Sequence, residues 1–68
     1  MNKQKLEERM KHCGVSKKQA YQSLNISRSA FYRKMNGLSE FNLKEIRGLM
    51  FMLNLDNADE IFFDKKAS

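Results

Sequence analysis

Sixty-eight residues, a net charge of +5 and a single cysteine set narrow bounds. A chain this short buries only about 60% of the surface its unfolded form exposes, so it is expected to be one domain, residues 1–68, around a small core. Cys13 has no partner for an internal disulfide and, with the lone His12, cannot build a zinc site, which points to a reducing cytoplasm.

Residues 2–11 are charged throughout, so no signal peptide is expected. The longest apolar run, residues 49–53, falls far short of the roughly 20 residues a membrane span needs. With no proline and three glycines, the sequence favours helices over hairpins. The charge is uneven. Residues 1–37 carry nine basic and two acidic side chains, net +7; residues 38–68 carry four basic and six acidic ones, net −2. The first half would suit a polyanion, gaining affinity through counterion release, although a soluble basic protein without such a partner fits the charge as well.

The pattern predicts five short helices. Asn2 caps the first, with Leu6, Met10 and Cys13 on one face and Gly14 just past its end, where a left-handed residue costs little. Ser16 caps a second helix over 17–24 with Ala20 and Leu24 inward; Asn25 tolerates the left-handed turn that follows. Ile26 points inward and Ser27 caps a third helix, which buries Phe31 and Met35 and ends at Gly37. Residues 38–41 form a loop. Asn42 then caps a fourth helix with Leu43, Ile46, Leu49, Met50 and Leu53 on one stripe, interrupted by Gly48. Asn57 and Glu60 have capping-box spacing before a short last helix ending near Phe62, and residues 64–68 read as a frayed tail.

Residues 16–37 carry the functional signal. If Ala20, Leu24, Ile26 and Phe31 are buried together, they fix the second and third helices at a steep angle. The third helix then turns Ser27, Arg28, Ser29, Tyr32, Arg33 and Asn36 outward. That surface suits a DNA major groove: arginine offers two parallel donors to guanine, serine is short and adaptable, and tyrosine can touch a thymine methyl or a phosphate. Lys17 and Lys18, at the start of the second helix, are placed to reach phosphates. Lys3 and Lys5 either form a basic arm on the backbone or decorate the first helix.

The stretch VSKKQAYQSLNISRSAFYRKMNG resembles the helix-turn-helix of phage Cro-like and repressor-type regulators, the lambda-repressor-like superfamily, without a gap. FNLKEIRGLMFMLNLDNADEIFF resembles the rest of that domain, and the KMNG and EIFF elements are similar to small regulators from phages of Gram-positive bacteria. The resemblance covers about residues 3–63. It implies an all-α bundle of about five short helices, base contacts by Arg28, Ser29, Tyr32 and Arg33, and phosphate contacts by Lys17 and Asn36. Ser16, Lys18, Ser27 and Lys34 complete the expected phosphate set. It further implies a dimer on a short palindromic operator, repressing transcription in the bacterial host cytoplasm, often within a lysis–lysogeny switch. Three positions depart from the family pattern: Tyr21 and Lys34 stand where alanine and an apolar residue are usual, and Asn25 replaces a glycine. Tyr21 must tilt outward or spread the helices.

Nothing suggests an enzyme, a cofactor or a small-molecule substrate. Glu7 and Glu8 read as a solvated face. His12 and Cys13 are adjacent on a helix and do not face each other. Phe51, Met52, Phe62 and Phe63 exceed what the predicted core needs. They are expected to form a dimer surface, or to close the core over the 38–41 loop. The competing function is a protein-interaction module that binds another phage regulator as antirepressor or modulator.

Overall fold

A computed structural model describes residues 1–63, and of Asp59 and Glu60 the backbone alone. Among the described residues the regular structure is entirely helical: α1 (Lys3–Cys13), α2 (Lys17–Ser23), α3 (Arg28–Met35), α4 (Leu43–Met52) and a closing π-helical turn, Asp59–Phe63. None of these helices is long and apolar enough to cross a membrane. The expectations for the 64–68 tail and for the Glu60 side chain in a capping box lie outside the described residues.

Each α-helix starts where a short polar side chain takes up a first-turn N–H that has no helical partner. Asn2 accepts from Lys5, Ser16 from Gln19, Ser27 from Ala30 and Asn42 from Glu45, at 3.0, 3.0, 3.1 and 2.8 Å. Ser16 and Asn42 are reciprocated, since the Gln19 and Glu45 side chains accept from the cap's own N–H at 2.8 and 2.9 Å. The connections turn at left-handed residues: Gly14 (φ 70°), Asn25 (58°), Gly37 (81°) and Asn54 (53°). Gly14, Asn25 and Gly37 follow the sequence pattern; Asn54 does the same after α4.

The core gathers around Phe31, which is fully buried. Its ring meets Tyr21, Tyr32 and Phe41 at centroid distances of 6.0, 5.9 and 5.9 Å, and Phe41 meets Phe62 at 6.0 Å and 88°. Such edge-on and tilted contacts suit the positive rim and negative face of aromatic rings. Leu6, Met10, Ala20, Met35, Ile46, Leu49, Leu53 and Ile61 close around them. Tyr21 resolves its tight position by lying half-buried against Phe31. Leu24, Ile26 and Cys13 are also half-buried, less enclosed than their pattern implies.

Two expectations are corrected. Leu43 is 59% exposed. The buried side of α4 centres on Ile46, Leu49 and Leu53, and Leu43 lies about a quarter turn away at 100° per residue. Phe62 belongs to the core rather than to a free surface, sealing the 38–41 loop through Phe41.

Gly48 has a packing reason. A Cβ there would stand 2.8 Å from Leu24 Cδ2, so glycine lets α2 lean on α4. At the other end of α4, Arg9 Nε and Nη2 donate to the Leu53 and Asn54 carbonyls at 2.9 and 3.0 Å, and Cys13 Sγ donates to Leu53 at 3.4 Å. These bonds satisfy helix-end carbonyls that no helical N–H reaches. The Asn2 N–H donates to the Ile61 carbonyl at 2.6 Å, which ties the start of α1 to the closing turn. Together they tie α1 to the end of α4 and to the closing turn.

Candidate nucleic-acid interface

α3 is divided along its length. Phe31 and Met35, four residues apart, are buried at 0% and 1%, while Arg28, Ser29, Arg33 and Asn36 are exposed and Tyr32 is half-buried. All four side chains expected to read bases therefore reach the surface on one element.

Tyr32 stands between two cations. The Arg28 guanidinium lies 5.4 Å and the Lys17 ammonium 5.7 Å from its ring centroid. Each is attracted to the negative face of the ring, which couples the start of α2 to the middle of α3. Lys18 is exposed beside Lys17. Ser16 and Ser27 use their hydroxyl oxygens as cap acceptors, which leaves each O–H free to donate to an outside oxygen.

Two contacts extend this face onto α1. Lys3 Nζ donates to Asn36 Oδ1 at 2.8 Å, bringing its ammonium to the C-terminal end of α3. Glu7 Oε2 lies 2.9 Å from Lys17 Nζ, with 38% and 39% of the two side chains exposed. The Lys17 hydrogen bond, helped by the charges of Lys17 and Lys3, holds the Glu7 carboxyl below its ordinary value; the same bond raises Lys17. By its local pattern alone Glu7 is a solvated charge on α1. No local signal corrects that reading, because the pair joins two helices.

Lys34 leaves the expected phosphate set. Its ammonium donates to both Glu45 oxygens at 2.6 and 2.7 Å, and Glu45 is 6% exposed. The carboxylate also accepts the Asn42 N–H, so a buried charge is matched by a cation and a capping bond. This clamp binds the end of α3 to the start of α4, and Lys34 points into it rather than toward the face shared by Arg28, Tyr32 and Arg33.

The expected dimer residues separate. Phe51 is 89% and Phe63 48% exposed, whereas Met52 is half-buried against the core and Phe62 is in it. Leu38 and Leu43 add exposed apolar surface that the sequence did not flag. Leu43, Arg47 and Phe51 follow one another at four-residue spacing and so share an outer row of α4.

No protein-family model matches the chain, and comparison with curated proteins and with solved structures gives no significant match. The functional reading therefore stands on the surface of α3 and its surroundings.

Proposed function

We propose that this chain is a sequence-specific DNA-binding regulator of transcription of the Cro-like type. In this reading α2, the turn at Asn25 and α3 form the helix-turn-helix of a lambda-repressor-like domain, and α3 lies in the major groove. The observation that carries it is the division of α3: a buried Phe31–Met35 side that fixes the helix, and a remaining surface on which Arg28, Ser29 and Arg33 are exposed and Tyr32 half-exposed, with no acidic residue on the helix.

Each residue then has a role. Arg28 and Arg33 present paired donors that match guanine O6 and N7. Ser29 allows close approach, and Tyr32 contacts a thymine methyl or a phosphate while its flanking cations neutralise the groove edge. Lys17, Lys18, Ser16 and Ser27 meet the backbone on one side, and Asn36 with Lys3 on the other; these contacts fix register without reading sequence. A two-fold dimer would set two copies of α3 about 34 Å apart, one turn of DNA, and would repress by covering a promoter. Phe51 and Phe63 are its candidate interface residues.

The test is a pair of titrations at two salt concentrations, one on a duplex selected from a random pool and one on its scrambled version. The expected outcome is a steep salt dependence on both and tighter binding to the selected duplex. Equal affinity for the two would remove the claim of sequence reading.

A second reading has one observation in its favour, the apolar row around Phe51 on α4. In it the chain binds another regulator through that row, as a modulator. Loss of regulator binding in Phe51→Lys, with no DNA preference in the wild type, would favour it.

A further inference from the structure

Glu7 stands inside the cationic face rather than beside it. Its carboxylate holds Lys17 at 2.9 Å, and Lys17 in turn lies against Tyr32, a residue of the proposed reading surface. An ion pair this exposed contributes little to stability, so the fold does not account for it. A negative charge so placed opposes the approach of phosphates, and it occupies an ammonium that the DNA-binding reading assigns to one.

We infer that Glu7 is a specificity-determining residue that acts through Lys17, suppressing binding to non-operator DNA. The inference rests on the DNA-binding reading above. The duplex backbone carries the same charge in every sequence, so a free lysine gains from any phosphate within reach. A lysine held by Glu7 gives up its partner only to a phosphate brought close in a fixed geometry. In-register docking of α3 supplies that geometry; loose, non-specific association does not. Glu7 therefore taxes wrong sequences more than the right one, without touching a base itself. Lys3, one turn earlier on α1, is not held in this way: its partner Asn36 is neutral.

Glu7→Gln keeps the size and polarity of the side chain and removes its charge. On a scrambled duplex it frees Lys17 for one more phosphate. The slope of log affinity against log salt should steepen by about 0.9, so lowering salt from about 200 to 50 mM gains roughly threefold more than in the wild type. On the selected duplex Lys17 already meets its phosphate and the slope should stay as it was, so the ratio of specific to non-specific binding falls. The control is the same change in a Lys17→Gln background, where the scrambled-duplex slope should not respond. A scrambled-duplex slope unaltered by Glu7→Gln, or one that steepens equally without Lys17, overturns the inference and leaves the DNA-binding reading intact. A wild-type chain that binds neither duplex removes both.

Discussion

Lys34→Met measures what the buried clamp between α3 and α4 is worth. In the wild type the Glu45 carboxylate takes two bonds from Lys34 and one from the Asn42 N–H. The substitution leaves only the last. Stripping one partner from a buried pair costs about 3–5 kcal/mol, and because 17% of the Lys34 side chain is exposed, water can partly replace it; we expect the lower end. A domain of this length has about 3–10 kcal/mol of total stability, so the loss is a large share of it. At about 4–8 °C per kcal/mol, Tm should fall by at least about 12 °C. Adding Glu45→Gln should recover about 2 kcal/mol, since glutamine keeps an oxygen for the Asn42 N–H and no buried charge remains. Urea and thermal denaturation of the four proteins give the coupling energy. A single-variant loss under about 0.5 kcal/mol, or an additive double variant, would refute the reasoning. DNA binding supplies an independent check: Lys34→Met should leave the salt slope unchanged, and a slope shallower by about 0.9 would return Lys34 to the phosphate contacts.

Arg28→Ala should cost about 1–3 kcal/mol on the selected duplex and relax preference at one base pair per half-site, read by titrating single-base-pair variants. The Glu7 carboxyl should titrate below the ordinary glutamate value in carbon-detected NMR, and Lys17→Gln should move it upward. Because the folded-state value is depressed, the small stabilisation from this exposed pair is present above the unfolded-state value and disappears as pH falls through the lowered one; the Tm values of wild type and Glu7→Gln should lie within a few degrees at neutral pH and coincide at the acid end. Phe51→Lys should leave Tm within a few degrees, since the side chain is 89% exposed, and should shift sedimentation toward the monomer when the operator-bound dimer is assembled.

The parts of this fold that can be read along the chain are those set by neighbours within one turn. Asn2, Ser16, Ser27 and Asn42 each cap the helix they precede because a cap needs only its own backbone and a residue three positions on. Gly14, Asn25 and Gly37 turn left-handed because glycine and asparagine tolerate that conformation best. Phe31 and Met35 declare the buried side of α3, and with it the exposed side, by their spacing alone. What the sequence conceals is long-range pairing. Arg9 completes the end of a helix 44 residues away, and nothing near it marks that use. Lys34 looks like a cation on a cationic helix until the α4 cap delivers Glu45 to it. Glu7 becomes part of the candidate interface only because its carboxylate meets Lys17, ten residues on and in the next helix. Phe62 and Phe63 are indistinguishable by type; only the position of Phe41 decides which is enclosed.

The central claim is that the outer side of α3 meets duplex DNA. Titrating the selected duplex into isotope-labelled protein and following backbone amides by NMR tests it residue by residue. The account predicts the largest changes over residues 27–36 and at Lys17 and Lys18, with none along the Leu43–Arg47–Phe51 row beyond those that dimerisation brings at Phe51. Changes centred on that row, with α3 silent, would contradict it.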